Sequence, residues 1–167
     1  MVKLLQQRII FLFCLLFITA CGAPAPASVA PTPIPPVSDE ELLAAIKQAH
    51  STLNTIRQAM LAPKPSYSYL GLKVRFKTPD GGTDDDWTEP IDYYDGIFTI
   101  KMLDGLTLNY HLHPDDTLNV PLRNVVDWMI VEKDGNLIGG YTIRLVYDHL
   151  TPEEQVEFIK NTGYKIK

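Results

Sequence analysis

Cysteine is nearly absent from this chain of 167 residues: there are two, Cys14 and Cys21, both near the N-terminus. From residue 22 onward there is no thiol, which excludes disulfides, a cysteine nucleophile and thiolate metal sites from that part. Serine is missing after Ser68, and neither a Gly-x-Ser-x-Gly turn nor a glycine-rich phosphate loop occurs. The sequence therefore lacks the common signatures of nucleophilic hydrolases and nucleotide binders. No internal repeat is present, and no apolar run is long enough to span a bilayer. The longest, Ile9 to Ile18, is about half of the roughly 20 residues a spanning helix requires. Basic residues are in the minority, 15 against 20 acidic.

What the N-terminus does contain is ordered. Lys3 and Arg8 precede the apolar run, and Ile18-Thr19-Ala20-Cys21-Gly22 follows it. Charge, length and small residues fit an export signal. The aliphatic residue, two small residues and cysteine resemble the lipobox of signal peptidase II substrates, so residues 1–20 are expected to be a lipoprotein signal peptide and Cys21 the lipidated residue. Residues 21–37 follow as a tether, with Pro24, Pro26, Pro31, Pro33, Pro35 and Pro36 among alanines. Proline fixes φ and removes backbone donors, so the segment stays extended. At about 3.1 Å per residue it reaches roughly 50 Å from the bilayer. Without Lys3 and Arg8 the balance is 13 basic against 20 acidic residues, or −7. Nucleic acid and a polybasic lipid patch are thereby excluded as partners, and attachment falls to the lipid.

Residues 38–167 read as a single domain. Ser38 with Glu41 forms a capping box, and Leu42, Ile46, Ala49, Leu53, Ile56 and Met60 make one apolar stripe, which predicts an amphipathic helix ended by Pro63 and Pro65. Leu70, Leu72, Val74 and Phe76 alternate with Gly71, Lys73, Arg75 and Lys77, as in a strand with one buried face. Ile97 to Leu103 and Leu106 to His113 read as a hairpin turning at Asp104-Gly105. Trp128 to Lys133 and Leu137 to Tyr147 read as another, through Asp134-Gly135-Asn136, with Tyr141, Ile143 and Leu145 on one face. Thr151-Pro152-Glu153-Glu154 starts a short helix ending near Gly163. The expected class is α+β: an N-terminal helix, a strongly bent, mostly antiparallel sheet, open or curled into a partial barrel, and a short C-terminal helix.

The segment Asp127-Trp128-Met129, Asp134-Gly135 and Ile138-Gly139-Gly140-Tyr141-Thr142-Ile143-Arg144, with Thr151-Pro152-Glu153-Glu154 and Gly163-Tyr164, resembles the YegJ-like family of bacterial domains of unknown function. The resemblance extends upstream through Ala62-Pro63-Lys64-Pro65 and Leu72-Lys73-Val74, covering nearly everything after the tether. It implies no activity. Two departures stand out: family members often carry Glu-His where Asp85-Asp86 precede Trp87, and Gly-Asp in place of Asp115-Asp116. Any chemistry of that Glu-His pair is lost here.

The signature itself reads mainly as architecture. Gly139-Gly140 permits a bulge or a close approach within a strand, Trp128 closes one end of a core, and Asp127 caps a turn or pairs with Arg144. The alternative is a ligand pocket of Asp127, Trp128, Tyr141 and Arg144. Acidic residues crowd between Lys77 and Lys101, from Asp80 to Asp95. This reads as a solvated loop, with Asp84, Asp85 and Asp86 as candidate calcium ligands, although the spacing is not that of an EF-hand. His111 and His113, two apart on an expected strand, face the same way and with Asp115 or Asp116 are candidate ligands for part of a zinc site, although His113-Pro114 also reads as a strand end entering a turn. No third strong ligand is within sequence reach.

The expectation that follows leans away from an enzyme and includes no cofactor. It is a non-enzymatic binding or interaction domain of the cell envelope, meeting an envelope protein partner. Lipid on Cys21 holds it on the outer face of the cytoplasmic membrane or in the outer membrane. The alternative is a small metal-dependent hydrolase using His111, His113 and nearby acids.

Overall fold

The computed structural model describes residues 37–103 and 116–166. The expected signal peptide, Cys21 as the expected lipidation site, nearly all of the expected tether, the expected Asp104-Gly105 turn and second strand, and the metal candidates His111, His113 and Asp115 lie outside them.

Helix α1 (Asp39–Ser51) begins at the expected capping box: the Glu41 amide donates to Ser38 Oγ at 3.3 Å, and the Ser38 amide to Glu41 Oε2 at 3.0 Å. The apolar stripe continues into α2 (Asn54–Leu61), but the helix is broken between them. No proline or glycine causes the break. Trp128 Nε1 donates to the Ala49 carbonyl at 3.0 Å and to Thr52 Oγ1 at 3.2 Å. Ala49 O then serves the indole and the Thr52 amide at 3.2 Å, while the Leu53 amide turns to His50 O.

Six strands follow: β1 (Tyr67–Lys77), β2 (Thr83–Tyr94), β3 (Ile97–Lys101), β4 (Thr117–Pro121), β5 (Val125–Glu132) and β6 (Leu137–Gly139). They lie in the order β4-β3-β2-β1-β5-β6, with every neighbouring pair antiparallel. The sheet is open, so the partial barrel is not formed. One face packs on α1 and α2. Leu72, Val74, Phe98, Ile100, Trp128 and Ile130 from the sheet meet Ala49, Leu53, Ile56 and Ala59 from the helices. Burying each large aliphatic or aromatic side chain contributes about 1.5–3 kcal/mol.

Two expectations about local structure are corrected. The acidic segment is not a loop but the 12-residue strand β2. Aspartate is disfavoured in strands, but the basic outer face of β1 lies alongside this one. Arg75 binds Asp85 through Nε at 2.7 Å and Nη2 at 2.8 Å, and Lys73 Nζ lies over the Trp87 ring. The second correction concerns Leu137 to Tyr147. Only Leu137–Gly139 is strand; Tyr141–His149 is helix α3, so Tyr141, Ile143 and Leu145 do not share a strand face. Gly139 (φ 72°) and Gly140 (φ 65°) are the corner between the two, not an interior bulge.

Helix α4 (Pro152–Thr162) carries the expected Thr151–Glu154 capping box and ends at Gly163. Beyond it, Lys165 bridges to Asn136 beside β6: its amide donates to Gly135 O at 2.7 Å, and its carbonyl accepts from the Leu137 amide at 3.3 Å. The C-terminal segment thus covers part of an otherwise open strand edge.

Candidate functional site

The residues singled out around Asp127 and Tyr141 occupy the junction of β5, β6, α1 and α3, in two layers. Asp127 and Trp128 are buried beneath, whereas Tyr141 and Arg144 reach an open groove between α1 and α3. The groove encloses about 660 Å³. Glu41, Ala44 and Gln48 form its α1 wall, and Tyr141, Arg144 and Asp148 line the α3 side.

The buried layer is fixed by hydrogen bonds. Helix α3 starts at Gly140, which has no side chain to cap it. Asp127 supplies that function from β5: its Oδ2 accepts the Thr142 amide at 2.7 Å and the Thr142 hydroxyl at 2.8 Å, and its Oδ1 accepts the Trp128 amide at 2.7 Å. A carboxylate at a helix N-terminus satisfies orphan amides and complements the macrodipole. Burial pushes the Asp127 carboxyl above its ordinary value of 3.8, and the Thr142 and Trp128 hydrogen bonds oppose that shift. The Trp128 ring meets Tyr141 edge-on at 6.0 Å, and the Tyr141 hydroxyl accepts from Thr52 Oγ1 at 2.9 Å.

Arg144 does not serve Asp127. Its Nε donates to Gly139 O at 2.8 Å and its Nη2 to Leu137 O at 2.5 Å, tying α3 to the edge strand β6. At the groove's outer end, Glu41 Oε1 lies 3.2 Å from His149 Nε2, while His149 Nδ1 is 2.9 Å from Leu145 O. Hydrogen bonds from Ser38 hold the Glu41 carboxyl below its ordinary value, with a smaller contribution from His149. The remaining described histidine, His50, lies 2.6 Å from Val125 O through Nε2.

The calcium candidates do not share one direction. Asp84 and Asp86 stand opposite Phe76 and Val74, while Asp85 stands opposite Arg75 on the other face and is bound to it. Among the described residues, no three His, Cys, Asp or Glu side chains are grouped to hold a metal ion. No helix of these residues is long and apolar enough to cross a membrane.

A family described as an uncharacterized protein conserved in bacteria (DUF2314) matches residues 39–166. The chain belongs to this family. In DUF2314 terms, the matched region starts with α1 and ends after the C-terminal bridge to β6, so both walls of the groove are family structure. No curated protein and no solved structure matches the chain.

Proposed function

We propose that this chain is a lipid-anchored, non-enzymatic binding domain of the cell envelope, and that the groove between α1 and α3 receives its partner. The observation that carries the reading is the groove's construction. Its walls are fixed from below by Asp127, Trp128 and Thr52, and its arginine is already committed to backbone carbonyls. A preorganised surface of this kind limits the ordering cost of association. Its volume, about 660 Å³, is in the usual range for ligand sites.

The anchor supports the same reading. Under this reading the Cys21 lipobox and the proline-rich sequence after it supply reach between bilayer and fold, which suits capture of a partner near a membrane surface. Lipid supplies attachment that a domain of net −7 cannot gain from anionic headgroups.

The test is photo-crosslinking in intact cells. A photoreactive amino acid replacing Gln48, exposed in the groove, should give a discrete adduct. The same residue replacing Lys160, exposed on α4, should not. Equal labelling from both positions would contradict the proposal.

A further inference from the structure

We propose that a second pocket, between α2 and β2, binds a carboxylate group through Arg57. This pocket shares no residue with the α1–α3 groove, and the proposal is independent of any role for that groove.

Arg57 rises from α2 and holds its Cζ 4.0 Å from the centroid of the Tyr93 ring. Tyr93 is fixed in turn, its ring centroid 4.7 Å from that of the buried Phe98. A guanidinium over an aromatic face is attracted by the ring's π electrons, but its N–H groups lie at the edge and the ring does not satisfy them. Arg57 Nε is buried and has no hydrogen-bond partner among the described residues. A buried donor left unmade is costly, so an acceptor reaching it gains more than it would in water. A carboxylate is the matching acceptor: it meets the part of Arg57 that lines the pocket, and a rotation of the side chain that opens Nε–H brings both oxygens onto the guanidinium fork.

The surroundings narrow the ligand. The cavity holds about 120 Å³ and is lined by Arg57, Met60, Leu61, Ile91, Asp92 and Tyr93. Leu61 is 79% exposed and Ile91 50% exposed, both uncommonly open for large aliphatic side chains. Ile91 falls where the β2–β3 register shifts between Pro90 and Asp92, the type of irregularity that re-aims a side chain. Asp92, the acidic residue of the lining, turns its Oδ1 to the Tyr93 amide at 2.7 Å. The pocket thus combines one cation, one carboxylate held to a backbone amide at its edge, and an apolar rim. It fits a carboxylate joined to a short branched aliphatic group, either a free short-chain acid or the C-terminal carboxylate of a polypeptide ending in such a residue.

The experiment is nitrogen-15 NMR of the arginine Nε–Hε groups in the full chain, solubilised in detergent. The titrants are isobutyrate, isobutyramide, and a peptide ending in valine with a free or an amidated C-terminus. The Arg57 signal should shift saturably with isobutyrate and the free-acid peptide, and with neither amide. Arg57→Lys keeps the charge but loses the fork, and should bind at least about tenfold more weakly. Tighter binding of the peptide than of isobutyrate, by about tenfold, assigns the site to a chain end; equal or weaker binding assigns it to a free acid. The proposal is overturned if neither carboxylate gives a saturable shift up to about 50 mM, or if the amides act equally. The amide comparison needs no variant, so it decides even if Arg57→Lys fails to fold.

Discussion

Asp127 caps a helix to which it does not belong: its carboxylate, on β5, accepts both the amide and the hydroxyl of Thr142 in the first turn of α3, at 2.7 and 2.8 Å. The contact fixes one wall of the groove, because α3 begins where Gly140 offers no cap of its own. It also places a carboxylate with no solvent exposure against the positive end of a helix dipole.

Removing that carboxylate should therefore cost more than an ordinary cap. Asp127→Ala leaves the Thr142 amide and hydroxyl and the Trp128 amide without it, and the expected loss is roughly 3 kcal/mol by urea denaturation. Thr142→Val, which removes only the hydroxyl, should cost about 1 kcal/mol. Equal effects would mean that the amide contact contributes nothing.

The pH dependence has a definite sign. Burial raises the Asp127 carboxyl above its ordinary 3.8, so the folded form holds this proton more tightly than the unfolded form. Its contribution to stability is complete below the unfolded pKa and is lost as pH rises through the folded one. The stability of the parent relative to Asp127→Asn should fall across that interval. Asp80 and Asp134 move the other way, lowered chiefly by the Thr78 side chain and the Asn136 amide respectively. Carbon-13 NMR of the side-chain carboxyls should find Asp127 titrating above both; the reverse order would contradict this account.

Two glycines with nearly the same positive φ should respond differently to alanine. Gly139 (φ 72°) and Gly163 (φ 71°) are both left-handed. A Cβ on Gly139 would lie 2.5 Å from Trp128 O and 2.8 Å from the indole ring, whereas one on Gly163 meets nothing within 4 Å. Gly163→Ala should cost about 1 kcal/mol from strain alone. Gly139→Ala should cost roughly 3 kcal/mol or more, since strain and overpacking add. Thermal or urea unfolding separates the two.

How far these features were legible in the sequence depends on how local their causes are. The capping boxes at Ser38 and Thr151 span three residues and were readable, as was the alternation along β1. Helix α3 was not. Tyr141, Ile143 and Leu145 alternate as in a strand, and the element is capped by Asp127, 15 residues away. Strand β2 was hidden by its aspartates, whose partner Arg75 comes from the neighbouring strand. The break after Ser51 had no local signal because the Trp128 indole takes the Ala49 carbonyl. For the site, Tyr141 and Arg144 were found through their signature. Glu41, Ala44 and Gln48 look like a helix's solvent face and become a wall only when α3 lies opposite. Arg57 and Tyr93 escaped notice because nothing in their spacing announces a stacked pair.

The anchoring proposal has its own test. Cys21→Ser removes the sulfur that lipid attachment requires. The variant should leave the membrane fraction or stay unprocessed, with the domain still folded by circular dichroism. A variant processed and membrane-bound like the parent would disprove lipid anchoring at this residue.

The central claim is that the groove between α1 and α3 is where this domain binds. Ala44 is exposed on the α1 wall, so Ala44→Trp fills the groove without entering the core. The decisive measurement is the yield of the adduct formed in intact cells by a photoreactive residue replacing Gln48, with and without Ala44→Trp. The account predicts that the adduct is lost in the Ala44→Trp background while thermal stability is kept. Undiminished adduct from a filled groove would contradict it.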